Sequence, residues 1–173
     1  MKKFTTILLI ATFIFTFHSC KKADETTPDD DNTPTQEEYV KCKIDGVDFL
    51  SKDEDSFNTA KIFSAAGVTI YQLRGGDESL EAIILGFYDF DGVGVYNMAD
   101  PDKVSGIQYL TVGPPLTYDC SQGNALDGTT SGKIEITFSS DERVEGTFEC
   151  IAVNSGDVND KVTITDGSFR LNY

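Results

Sequence analysis

The residue types best suited to nucleophilic or metal chemistry are few in this chain of 173 residues, with 4 cysteines and 1 histidine. That histidine, His18, stands two positions before Cys20 in an apolar N-terminal stretch. Cleavage at Cys20 would leave a protein with neither histidine nor tryptophan. Ser-His-Asp and Cys-His catalysis, histidine-ligated zinc, copper or iron, and histidine pH switching are thereby excluded. Oxygen chemistry is better supplied, with 29 Asp and Glu. Asp89-Phe-Asp91-Gly92 opens like a calcium loop, but Asp100 stands where an EF-hand needs its glutamate. A hairpin turn is the simpler reading. Asn154, Asp157, Asn159 and Asp160 could present several oxygens to Ca²⁺ from one loop, and they equally suit a solvated turn. A glycosidase pair of carboxylates about 5–9.5 Å apart is allowed by residue type. Nothing in the spacing selects two of them. Tyr71, Tyr88, Tyr96, Tyr109 and Tyr118 could form a platform for sugar rings, or could be half-buried strand residues with wet hydroxyls. No catalytic residue, cofactor or metal site is expected from these patterns.

The cysteines divide by position. Lys2 and Lys3 precede an apolar run over residues 4–17, diluted by threonine. As a helix it would reach about 21 Å, short of a ~30 Å hydrocarbon core, so a secretory signal fits better than a membrane span. Ser19-Cys20 at its end resembles a bacterial lipobox. The expectation is a leader over 1–19, diacylation of Cys20, and a membrane partner reached through that lipid rather than a helix. Residues 21–38 read KKADETTPDDDNTPTQEE, with Ala23 the one apolar residue. Such a segment buries too little surface to offset its ordering entropy, so 20–38 is expected to be a disordered tether spanning on the order of 25 Å. Lys22 followed by Asp24-Glu25 resembles the export signal of Bacteroidota-type surface lipoproteins. The expected address is the outer membrane, with the cell surface favoured over the periplasmic face.

The formal net charge of −15 argues against nucleic acid or anionic lipid as a partner through the general field. Residues 39–173 are of a size suited to one core. They read as strands punctuated by turns. Residues 39–44 and 47–50 flank Asp45-Gly46, a type I′ hairpin signal that sets Ile44 opposite Val47 and Cys42 opposite Phe49. Residues 59–66 are ambiguous between strand and helix. Residues 82–88 are apolar on both faces, which reads as a central strand covered on two sides. Residues 118–130 read as a long loop holding Cys120. Residues 133–138 alternate with Ile134, Ile136 and Phe138 facing in, and 144–152 alternate as cleanly. Asp166-Gly167 predicts a second hairpin, with Ile164 opposite Phe169 and Val162 opposite Leu171. The fold class is all-β: a single antiparallel sandwich or partly open barrel of about nine to eleven short strands.

Cys42 and Cys150 both fall on apolar strand faces, so strand parity favours a disulfide between them. Cys120 pairing with either, or buried free thiols, are the alternatives.

Cys42-Lys-Ile-Asp-Gly-Val-Asp-Phe49, Gly92-Val-Gly-Val-Tyr96, Gly132-Lys-Ile-Glu-Ile-Thr137, Val144-Glu-Gly-Thr-Phe148 and Ile164-Thr-Asp-Gly-Ser-Phe169 occur in that order. Together they resemble a family of uncharacterised Bacteroidota lipoproteins, in which one all-β domain of unknown function follows a lipid anchor. The resemblance implies fold and address, and brings no site residues with it. The expected function is a monomeric, non-catalytic β-domain that binds or scaffolds glycan or protein at the envelope. A small-ligand carrier with an apolar interior and a carboxylate-dependent glycoside hydrolase are the alternatives.

Overall fold

The computed structural model describes residues 37–52, 57–65, 67–126 and 128–173. The leader, Cys20 and the acidic stretch to residue 36 lie outside them. Asp45 and Gly46 both take positive φ, 49° and 84°. They close a tight hairpin between β1 (Tyr39–Ile44) and β2 (Val47–Leu50), in the register expected from the sequence. Cys42 and Phe49 turn inward there, while Val47 is left exposed.

β3 (Thr59–Ala65), β4 (Val68–Gly76) and β5 (Ala82–Tyr88) follow as an antiparallel run. The ambiguous segment is thus a strand, fixed by its ladder to β4. Next come β6 (Gly94–Asn97), β7 (Ser105–Leu110), β8 (Thr117–Ser121) and one short helix, α1 (Gln122–Leu126). β9 (Ser131–Ser139), β10 (Arg143–Asn154) and β11 (Asp157–Asn172) complete the chain. The strand order is β2-β1-β11-β10-β8-β7-β5-β4-β3, with β9 between β10 and β6. This single antiparallel sheet curls into a half-barrel. Its two ends approach through Lys52 N–H, which donates to Gly76 O at 2.8 Å.

The sheet forks along β10. One edge of β10 pairs with β9 from Val144 to Ile151, then with β8 at Val153 and Asn154. Its other edge pairs with β11 throughout. The inner face carries the core, including Ile83, Leu85, Phe87, Tyr96, Met98, Ile107, Ile134, Ile164 and Leu171, all at most 2% exposed.

Four sequence expectations need correction. Asp166-Gly167 is not a hairpin turn, because β11 runs straight through it. Asp166 takes φ 53°, and the register with β10 shifts between Phe148 and Cys150. It is a β-bulge: both devices need a left-handed residue, and here partner strands lie on both sides. β5 is covered on its inner face, but outside Ile84 and Gly86 are half-buried and Tyr88 is exposed. Cys120 lies in β8, fully buried, not in a loop. Glu38, assigned to the tether, is held by the domain through Asn58 Nδ2, which donates to its carbonyl at 3.2 Å.

Candidate ligand groove

Because β3, β4, β5, β7 and β8 are in register, their outward residues form rows across the strands. Phe63, Ile70 and Tyr88 make one row. Gln72, Gly86, Gly106 and Ser121 make the next. Ile84, Gln108 and Asp119 make a third. Two glycines therefore face each other at the centre of the sheet, flanked by a ring on one side and amides on the other. A β-carbon built on Gly86 would meet nothing within 4 Å, and one on Gly106 would make ordinary contacts beginning at 3.6 Å. The result is an open groove of about 430 Å³ with backbone as its floor.

The walls are polarised. Tyr88 and Phe63 are 46% and 43% exposed and form the apolar wall. Opposite them, Gln108 Nε2 donates to Asp119 Oδ1 at 3.1 Å, and Asn124 Nδ2 donates to Asp119 Oδ2 at 3.0 Å. Asp119 thus fixes the Gln108 amide and leaves its carbonyl oxygen free to accept. At the end of the groove Gln122 Nε2 donates to the Asp100 carbonyl, which ties α1 in place. Such a site can accept a flat ring on Tyr88 while amide and carboxylate groups exchange hydrogen bonds with hydroxyls. A second concavity, about 340 Å³ over β9, β10 and β11, has the Lys133–Glu149 ion pair at 3.4 Å across it and no aromatic wall.

The proposed tyrosine platform is dispersed. Tyr96, Tyr109 and Tyr118 are buried on the inner face, Tyr71 is half-buried, and Tyr88 alone of the five stands in the groove. Tyr96 OH donates to Asp91 Oδ1 at 2.7 Å, and Tyr109 OH donates to Glu81 Oε2 at 2.8 Å. Burial first, then the partner carboxylate, pushes both phenols well above their usual range.

The calcium candidates fall into two separate hydrogen-bonded groups. Asn154 Nδ2 donates to Asp160 Oδ2 at 2.8 Å, and Tyr118 OH donates to the same oxygen at 3.0 Å. Asp157 Oδ1 accepts the Asn159 backbone N–H at 3.0 Å, as in an ordinary Asx turn. Their oxygens serve the turn between β10 and β11. Among the described residues no group of three or more His, Cys, Asp or Glu is arranged to hold a metal ion.

Cys42, Cys120 and Cys150 are all buried free thiols. Burial pushes Cys42 up to about 12. The Cys150 thiol is raised by its hydrogen bond to Cys120 and then by burial. Cys150 in turn lowers Cys120, against the upward push of burial. Sequence reasoning missed the groove because its floor is an absence. Gly86 and Gly106 carry no signal until register sets them side by side, and Asp119 falls in the stretch read as a loop. Comparison of the chain with family models, curated proteins and solved structures gave no match.

Proposed function

We propose that this domain is a non-catalytic saccharide-binding module, displayed at the cell envelope by a lipid on Cys20. The observation that carries this reading is the groove: a Cβ-free floor at Gly86 and Gly106 between the exposed Tyr88 ring and the Gln108–Asp119 pair. A pyranose has a flat C–H face and an edge of hydroxyls, and it matches a ring on one wall and amides on the other. Its size agrees, since small-molecule sites start at about 300 Å³. With a net charge of −15, the protein favours neutral over anionic glycans. A carrier reading is less favoured because aromatic and aliphatic side chains fill the interior. The lipid anchor and surface address rest on the leader, Cys20 and the acidic stretch, and on the resemblance to Bacteroidota lipoproteins.

The test is a calorimetric screen of the full chain against neutral manno-, gluco- and xylo-oligosaccharides. At least one should bind with Kd on the order of 0.1–1 mM, as suits one ring contact and a few hydrogen bonds. Failure of every neutral saccharide to bind, with the protein folded, would sink the reading.

A further inference from the structure

We propose that Cys120 and Cys150 form a structural disulfide that staples β8 to β10 where the sheet forks, leaving Cys42 a buried thiol. The fork is the thinnest part of the sheet. β8 meets β10 through Val153↔Asp119 and Asn154↔Tyr118, and β9 takes over at Ile151. One further step in the β8 register sets Cys120 beside Ala152, on the face of β10 that carries Cys150. Both side chains are buried, at 0% and 4% exposure.

Gly132 makes room for the Cys120 sulfur beside the Cys150 side chain. It stands opposite Cys150 in the β9–β10 ladder. A β-carbon built on it would lie 2.7 Å from Cys150 Cβ and 3.0 Å from Cys120 Sγ. The volume that a side chain would take at Gly132 is therefore occupied by the Cys120 sulfur, reaching over from β8. Cys120 is also the largest influence on the Cys150 thiol, ahead of burial, and Cys42 is a smaller one. Strand parity in the sequence favours Cys42 as the partner of Cys150. The geometry favours Cys120, which the fold moves from an expected loop into a strand.

The chemistry is thiol–disulfide exchange with a small or protein-borne disulfide as oxidant. The Cys120 thiolate attacks one donor sulfur and forms a mixed disulfide, releasing a donor thiolate. Cys150, deprotonated, attacks the Cys120 sulfur and releases the second. Two protein thiols lose two electrons, the donor disulfide becomes two thiols, and the two protons pass to them. Because both sulfurs are buried, exchange belongs to the stage when β8 is still docking on β10. The finished bond is then shielded from reductant.

The full chain, reduced and unfolded, is refolded in glutathione disulfide and glutathione, alkylated, and digested without reduction. A linked peptide joining Cys120 to Cys150, with Cys42 alkylated, is expected, and it should persist in Cys42→Ser. A linked peptide containing Cys42 or Cys20, or alkylation of every thiol, overturns the proposal. In the oxidised protein Cys120→Ser and Cys150→Ser should each lower Tm by about 10 °C, the double variant no further. Should either variant fail to fold, peptide mapping of the unaltered chain still decides.

Discussion

Glycine serves this sheet in two opposite ways. At Gly86 the missing side chain leaves space that ligand can fill. At Gly132 and Gly146 it admits a neighbour: a β-carbon on Gly146 would lie 2.2 Å from the Glu135 carbonyl oxygen. Substitution separates the two kinds, because adding atoms at Gly86 should leave stability unchanged while filling the groove. Buried tyrosines make a further residue-scale prediction. Tyr96 and Tyr109 are each hydrogen-bonded to a carboxylate, and their folded pKa values lie above the unfolded value near 10. The folded state therefore holds protons that the unfolded state releases once pH exceeds about 10. Their contribution is fully present below that pH and falls as pH rises toward the folded values. Urea midpoints should drop steeply above pH 10, and the drop should be shallower in Tyr109→Phe. An unchanged alkaline slope in that variant would contradict the assignment.

Among elements, β11 shows how one local signal serves two structures. Asp166-Gly167 between alternating strands reads as a hairpin, and the chain does adopt positive φ at Asp166. It continues nonetheless, because β1 and β10 offer ladders on both sides of it from Ile164 to Arg170. The Gly167 position is then crossed by Phe148, whose carbonyl oxygen lies 2.3 Å from a built β-carbon. Gly167→Ala should lower unfolding free energy by about 2 kcal/mol or more in urea titration. A change within ~0.5 kcal/mol would argue that the bulge relaxes freely. Elements whose residues answer to near neighbours were readable from the sequence: the β1–β2 hairpin, the inward Ile134 and Ile136 of β9, and the inward face of β10, whereas Phe138, expected to face in with them, is 40% exposed. What depended on distant partners was not. The bulge needs β1 and β10, the open outer face of β5 needs to be uncovered, and the burial of Cys120 needs β10 to fork. The groove belongs to this second kind, since its parts come from five strands.

At the scale of the whole molecule, a curled sheet presents one filled face and one outward face, and the groove lies on the latter. Cys20→Ala should abolish labelling by an alkyne fatty acid and move the protein to the soluble fraction, whereas retained labelling would contradict acylation there. The groove itself is tested most directly by comparing unaltered protein with Gly86→Val and Tyr88→Ala, using the neutral oligosaccharide that binds best. Tm is measured on the same samples. Gly86→Val should keep its Tm within a few degrees and lose detectable binding. Tyr88→Ala should weaken binding about tenfold, equivalent to about 1.4 kcal/mol. Full affinity in a folded Gly86→Val protein would contradict a saccharide seated on the glycine floor.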